Sequence, residues 1–217
     1  MQWKDIHHVF ELIALLFCII RYRHMNKVLF MCFFGLLLTV NLVELGNHFK
    51  LLNLHHSNNW SYNLFHPIWF GLLAYIYYLV LEGPKHKQQV ILLYKTYLPL
   101  VLINIVLFQG FWYLDTYTYI AGCCLMVYFA SLYLKQLITD NNQVSIFKES
   151  FFWVSIGIVF FYSAEAILFS FFQYFLIIND FSAFMPVFHF FSNFLNIIYY
   201  TCISISFFCS QPRNSTL

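Results

Sequence analysis

Charged side chains are scarce in this sequence, and their scarcity excludes most soluble folds. Only 9% of the 217 residues are Asp, Glu, Lys or Arg, whereas 61% are hydrophobic and 23% are aromatic. A single soluble core could not enclose so many apolar side chains, and most of them would face water. The composition therefore predicts an integral membrane protein.

Motifs that would assign a known chemistry are also missing. The last apolar run contains no lysine for a retinal Schiff base, and the sequence contains no HExxH. All six cysteines lie within or at the ends of apolar runs, so no disulfide framework is expected. The net charge of +2 is too small and too dispersed for a nucleic-acid surface, so no nucleic-acid partner is expected. No cofactor is predicted from the motifs either.

Apolar runs recur along the whole chain. A spanning helix needs about 20 mostly apolar residues, and these runs are continuous rather than alternating as barrel strands are. The sequence predicts an all-α polytopic membrane protein, a seven-transmembrane helix bundle forming one domain over residues 1–217. The seven helices are expected at about 6–20, 28–45, 67–81, 94–111, 117–134, 151–178 and 184–208.

The basic residues predict an orientation, because Lys and Arg near helix ends are retained on the cytoplasmic side. Lys4 and Lys50 fall on one side of the predicted helices, and the other nine fall on the opposite side. The N-terminus is therefore expected outside and the C-terminus inside, with no signal peptide, because Glu11 interrupts the first run. The nine are Arg21, Arg23, Lys27, Lys85, Lys87, Lys95, Lys135, Lys148 and Arg213.

Ionisable residues within the predicted helices are the candidate functional residues. Each costs about 2.5–3.5 kcal/mol near the bilayer centre, so each one requires a reason. Glu11 shares a helical face with His7, and Glu44 shares one with Asn41 and His48. Because the first two helices run in opposite directions, both glutamates are expected in the outer part of the membrane.

The sixth and seventh helices contribute a second polar set. Glu165 lies near the middle of its run, with Ser163, Ala166, Ser170 and Gln173 close by in the sequence. His189, Asn193, Asn196 and Tyr200 recur at helical spacing and share one face. Packing between helices is the simpler explanation for the Ser and Asn residues. We predict that a ligand or proton pocket is formed by Glu11, Glu44, His48, Glu165, His189 and Asn193.

Histidines near Glu44 leave three interpretations open. Zinc needs three or four convergent ligands, whereas Glu44 and His48 supply two on one helical face. The other two interpretations are the ordinary polar mouth of a membrane protein and an outer pocket that responds to pH or to a ligand. No metal site is predicted from the motifs.

Three segments carry a resemblance to a known family in their order along the chain and in the placement of polar residues within apolar runs. They are "FFGLLLTVNLVELGNHF", "NLFHPIWFGLLAYIYYLVL" and "KESFFWVSIGIVFFYSAEAILF". The chain resembles small seven-helix inner-membrane proteins of bacteria that are similar to the membrane-embedded input regions of two-component sensor kinases. The resemblance implies a multi-pass protein of the bacterial cytoplasmic membrane with a membrane or cytoplasmic signalling partner. Residues up to Leu217 contain no kinase core, so we expect any output to pass through that partner.

Three functions follow as hypotheses. The first is a non-enzymatic sensor or accessory signalling subunit with an outer-facing polar pocket. The second is a small proton-coupled transporter in which Glu165 and His189 carry protons or bind substrate. The third is a membrane-embedded hydrolase that uses the outer His and Glu residues.

Overall fold

Helices make up nearly all of the computed structural model, which describes residues 6–55, 57–139, 146–178 and 181–209. Within these residues the chain forms seven α-helices and no strand. The predicted all-α class is therefore confirmed. The helices are α1 Ile6–Ile20, α2 Lys27–His48, α3 Asn59–Val80, α4 Pro84–Ile103, α5 Thr116–Thr139, α6 Ser150–Ile177 and α7 Phe181–Ser206.

Five of the helices, α2 to α6, are long and apolar enough to cross a membrane. The α4 span includes a π-helical turn, Asn104–Phe108, that continues the helix. Helix α1 is shorter, with 15 apolar-rich residues, and α7 extends over 26 residues. The chain is therefore a multi-pass helical membrane protein. That all seven helices span the bilayer, and in which direction, stays a prediction.

Six helices pack into a closed ring, and the seventh packs outside it. Helix α7 contacts both α1 and α6, and the ring continues from α1 through α2, α3 and α5 back to α6. Helix α4 packs against α3 and α5. Of its most apolar stretch, 22% is buried, whereas 44% is buried in each of the other four candidate spans. The ring arrangement places one face of α1, α2, α6 and α7 toward a shared interior.

Two predicted helix starts were wrong. Helix α3 begins at Asn59 rather than near Pro67, and α4 begins at Pro84 rather than near Tyr94. The first turns of both helices are polar, so hydropathy could not detect them. Proline is well tolerated in the first turn of a helix, where Pro84 lies in α4. Pro67 lies inside α3, where its carbonyl accepts a hydrogen bond from the Tyr94 hydroxyl at 2.8 Å.

One end of the ring is filled by an aromatic layer, which we define as Phe33, Tyr77, Tyr133, Phe151 and Phe207. Ring centroids are 5.9 Å apart for Phe33 and Phe151, 5.6 Å for Phe33 and Phe207, and 5.8 Å for Tyr133 and Phe151. All five side chains are buried. Close van der Waals packing of this kind holds helices together in lipid, where burial from water contributes little.

The opposite end is held by the buried side chain of Asn63 in α3. Its amide nitrogen donates to the Phe111 carbonyl at 2.8 Å and to the Tyr113 carbonyl at 2.6 Å. Its amide oxygen accepts from the Asp115 backbone nitrogen at 2.9 Å. Asp115 in turn caps α5, because its carboxylate accepts from the Thr118 backbone nitrogen at 3.2 Å. These bonds fix the connection from α4 to α5 against α3.

Of the small and polar residues near Glu165 in the sequence, the two serines do not share its buried face. Glu165 is buried in the bundle, whereas Ser163 and Ser170 are exposed on the outside of α6. Ser163 precedes Glu165 by two positions and therefore lies on nearly the opposite side of the helix. The Ser170 hydroxyl donates back to the Ala166 carbonyl at 2.7 Å, which satisfies it within its own helix.

Candidate functional site

A partly open cavity of about 770 Å³ occupies the half of the ring away from the aromatic layer. It is lined by residues of α1, α2, α3, α6 and α7, together with a few from α5 and from the connections. Along α2 the lining runs from Leu36 to His48, a rise of about 18 Å at 1.5 Å per residue. On α7 the lining runs from Met185 to Ile203, so the cavity reaches from one end of the bundle to just short of the aromatic layer.

The six residues predicted from the sequence all line this cavity. They are Glu11, Glu44, His48, Glu165, His189 and Asn193. The structure buries Glu11 and Glu165, leaves Glu44 and Asn193 half-buried, and exposes His48 and His189. The convergence is a finding of the structure, and the functional role of these six residues stays a prediction.

The cavity mouth carries a cluster of acids and histidines. Nδ1 of His8 lies 3.2 Å from Oε2 of Glu11, one turn along α1. The Glu44 carboxylate, on α2, accepts a hydrogen bond from the Tyr62 hydroxyl of α3 at 3.1 Å. One ligand atom each from His7, His8 and Glu44 lies within 4.8 Å of the other two. Among the residues that the structure describes, these three form the group that could hold a metal ion.

Helices α1 and α2 are joined behind this cluster by Asn41. Its amide nitrogen donates to the Glu11 carbonyl at 3.3 Å and to the Leu37 carbonyl at 2.8 Å. The bond joins α1 to α2 beside Glu11, and both Glu11 and Glu44 line the cavity. Two carboxylates that approach each other repel unless a proton or a cation lies with them.

The deep part of the cavity is built around Glu165, whose side chain is 2% exposed. Its Oε1 accepts a hydrogen bond from the Ser192 hydroxyl of α7 at 3.1 Å, and the Tyr119 side chain of α5 also interacts with it. The carboxyl thus has polar partners from two neighbouring helices. The predicted α7 face completes the wall, with His189, Asn193, Asn196 and Tyr200 all lining the cavity.

Acids and imidazoles dominate the ionisable groups of this cavity. Among the lining residues that the structure describes there are three glutamates and five histidines, and there is no lysine or arginine. A small anion would find no fixed positive partner here, whereas a cation or a hydrogen-bond donor would find several acceptors. The cavity is therefore suited to a cationic or donor-rich small ligand, or to protons.

Sequence reasoning left out several cavity residues that contact the predicted ones. Tyr62 and Ser192 donate hydrogen bonds to Glu44 and Glu165 respectively, and Tyr119 approaches Glu165 from α5. Each of these residues lies on a different helix from the glutamate that it contacts. Helical spacing relates residues within one helix, so it carried no signal for these pairs. Their pairing depends on which helices are neighbours in the ring.

No protein-family model, curated protein or solved structure matches this chain. The resemblance to sensor-kinase input regions therefore stays a prediction. A functional inference has to start from the geometry of the cavity.

Proposed function

We propose that the protein is a non-enzymatic sensor or accessory signalling subunit that binds a small ligand in this cavity. The observation that carries the proposal is the asymmetry of the ring. One half holds a polar cavity open at its end, and the other half is filled by the aromatic layer. A receptor needs such a closed-ended pocket, whereas a permanent channel would need a continuous path.

In a bacterial cytoplasmic membrane crossed by seven spans, the basic residues would favour an outward-facing cavity mouth. Arg21 and Lys27 lie at the end of the ring that holds the aromatic layer, and Arg21 donates to the Phe207 carbonyl at 3.0 Å. If basic residues are retained on the cytoplasmic side, that end would lie inside and the cavity mouth outside. Ligand would then arrive from outside the cell.

The signalling step would be a change in the arrangement of the ring helices. A ligand in the cavity touches α1, α2, α6 and α7 together, and each of these helices continues to the cytoplasmic end. A ligand that binds one arrangement more tightly shifts the population toward it. A membrane or cytoplasmic partner would detect the shift at the helix ends, as the resemblance to kinase input regions implies.

A small proton-coupled transporter is the second candidate, and Glu165 is the observation that favours it. The residue lies near the middle of α6, with polar partners from α5 and α7. Buried acids at mid-membrane depth are characteristic of proton-coupled carriers. In that case the aromatic layer would have to open during each transport cycle.

Filling the cavity tests the proposal. Asn196→Trp places an indole in the cavity wall. The side chain that it replaces donates a hydrogen bond to the Ser192 carbonyl of its own helix. In a strain lacking the gene, wild-type protein should restore the transcript profile and Asn196→Trp should not. A transporter would instead change the distribution of solutes across the membrane, which metabolite profiling of the same strains measures.

The matched control is Ile167→Trp, which adds the same indole on the exposed outside of α6, where Ile167 is 60% exposed. It should restore the transcript profile fully at equal membrane abundance. Full restoration by Asn196→Trp, at wild-type abundance, would contradict a role for the cavity in signalling.

A further inference from the structure

We propose that His7, His8 and Glu44 form a binding site for a divalent first-row transition metal ion, such as Zn²⁺, at the cavity mouth. The Glu11 carboxylate, which lies 3.2 Å from Nδ1 of His8, would orient that ligand. The site stands on the geometry of α1 and α2. It does not depend on whether the cavity serves signalling or transport.

The three ligand atoms lie near enough to one another for a single ion to bind them together. One ligand atom from each of His7, His8 and Glu44 lies within 4.8 Å of the others. Ligands at zinc's usual bond lengths of about 2.0–2.2 Å are roughly 3.4 Å apart in a tetrahedron. Binding would therefore draw the three ligand atoms closer together by rotation of their side chains. All three residues are half-buried, so they retain access from the cavity mouth.

The donor chemistry selects the class of ion. Two imidazoles with a carboxylate suit zinc and its neighbours, whereas Mg²⁺ and Ca²⁺ prefer shells made of oxygen. The charges also agree, because Glu11 and Glu44 together neutralise a divalent cation. Their mutual repulsion would turn into attraction for the ion, at the edge of an environment where an unbalanced charge is costly.

Contacts around the three residues resemble the outer shell of a metal site. Tyr62 donates to the Glu44 carboxylate at 3.1 Å, and the Glu11 carboxylate lies 3.2 Å from Nδ1 of His8. Ligating histidines and carboxylates are usually held by such partners, which fix their orientation. The bond from Asn41 to the Glu11 carbonyl holds the two helices at this spacing. A bound ion would therefore lock the first turn of α1 to the last turn of α2.

Metal binding can be measured directly on the purified full-length protein in lipid nanodiscs, prepared with a streptavidin-binding tag rather than a polyhistidine tag. Titration calorimetry with Zn²⁺ should give one site per chain, and Co²⁺ should show the strong visible absorption of a four-coordinate ion. His8→Ala and Glu44→Gln should each weaken Zn²⁺ binding at least about tenfold, as loss of a ligand costs no less than loss of an outer-shell contact.

His86→Ala is the matched control, because His86 is a half-buried histidine in the first turn of α4 and does not line the cavity. It should bind Zn²⁺ as the wild type does. Absence of stoichiometric Zn²⁺ binding, Ca²⁺ binding of equal strength, or wild-type affinity in both His8→Ala and Glu44→Gln would overturn the proposal.

A second measurement needs no substitution and therefore does not depend on how a variant folds. Zn²⁺ should protect His7 and His8 of the wild-type protein from modification by diethyl pyrocarbonate, as mapped by mass spectrometry. His55, an exposed loop residue in the same sample, should be modified equally with and without the ion. Equal modification of His7 and His8 in both samples would also overturn the proposal.

Discussion

Glu165 is the residue whose replacement best separates a functional acid from a packing residue. Glutamine keeps the size of the side chain and can still accept the hydrogen bond from Ser192, but it cannot carry a charge or exchange a proton. We expect Glu165→Gln to accumulate in the membrane at the wild-type level and to lose the transcriptional or transport output. Immunoblotting of membranes and the output assay check this together.

Two further outcomes have clear meanings at this residue. Normal abundance with normal output would remove Glu165 from the site and leave the transporter hypothesis with little support. Ser192→Ala is a useful companion, because it removes the hydroxyl that donates to Glu165 and leaves the acid in place. Under the proposal, its output should fall less than that of Glu165→Gln.

Asn63 provides a residue-scale prediction about stability. Its side chain is 2% exposed and pairs with three backbone groups of the connection between α4 and α5. Asn63→Ala leaves these groups without their partner, at a cost of about 3 kcal/mol. We expect the apparent Tm of the detergent-solubilised protein to fall by about 5 °C or more.

The control for this prediction is Asn59→Ala. Asn59 donates to the Trp112 carbonyl at 3.2 Å, but the bond is exposed, so water can replace it. Its apparent Tm should change by no more than about 2 °C. An equal fall in apparent Tm for Asn59→Ala and Asn63→Ala would show that the buried hydrogen bonds of Asn63 stabilise the protein no more than the exposed bond of Asn59.

At the scale of elements, the contact between α3 and α5 depends on Gly122. A Cβ at this position would collide with the ring of Phe70, which is itself buried. Overpacking of this kind costs about 1–3 kcal/mol. We expect Gly122→Ala to lower the apparent Tm by several degrees in a thermal-unfolding assay.

Gly35 in α2 is the matched control, because a Cβ there meets no atom within 4 Å. Alanine also favours a helix over glycine by about 0.5–1 kcal/mol, so Gly35→Ala should leave the apparent Tm unchanged or raise it. A loss of stability in Gly35→Ala as large as that in Gly122→Ala would contradict the packing of α5 against Phe70.

At the scale of the whole molecule, the distribution of basic residues predicts which end faces the outside. In intact cells, a membrane-impermeant thiol reagent should label Asn58→Cys, next to the cavity mouth, and spare Asn142→Cys. Residue 142 lies outside the described residues, in the connection between α5 and α6. Permeabilised cells, in which both thiols should react, provide the control.

The reverse labelling pattern would place the cavity mouth in the cytoplasm. The ligand would then come from inside the cell, and the aromatic layer would face outward. The metal-site proposal would survive this result, because it rests on contacts between α1 and α2 rather than on orientation.

The sequence by itself determined the class of the protein and most of its helices. Long apolar runs leave the backbone no alternative to helix in lipid, so composition and run length were sufficient. Helical spacing also identified the faces of α1, α2 and α7 that carry Glu11, Glu44 and His189. Spacing works here because residues three and four apart lie on one side of a helix.

Only the tertiary structure decided how those faces combine. The first turns of α3 and α4 are polar, and hydropathy does not detect the contacts of Asn63 or the first-turn position of Pro84. Tyr62 reaches Glu44, and His8 comes within reach of Glu44, because α1 and α3 both pack against α2. The order of helices around a ring is set by long-range packing, and a one-dimensional pattern does not contain it.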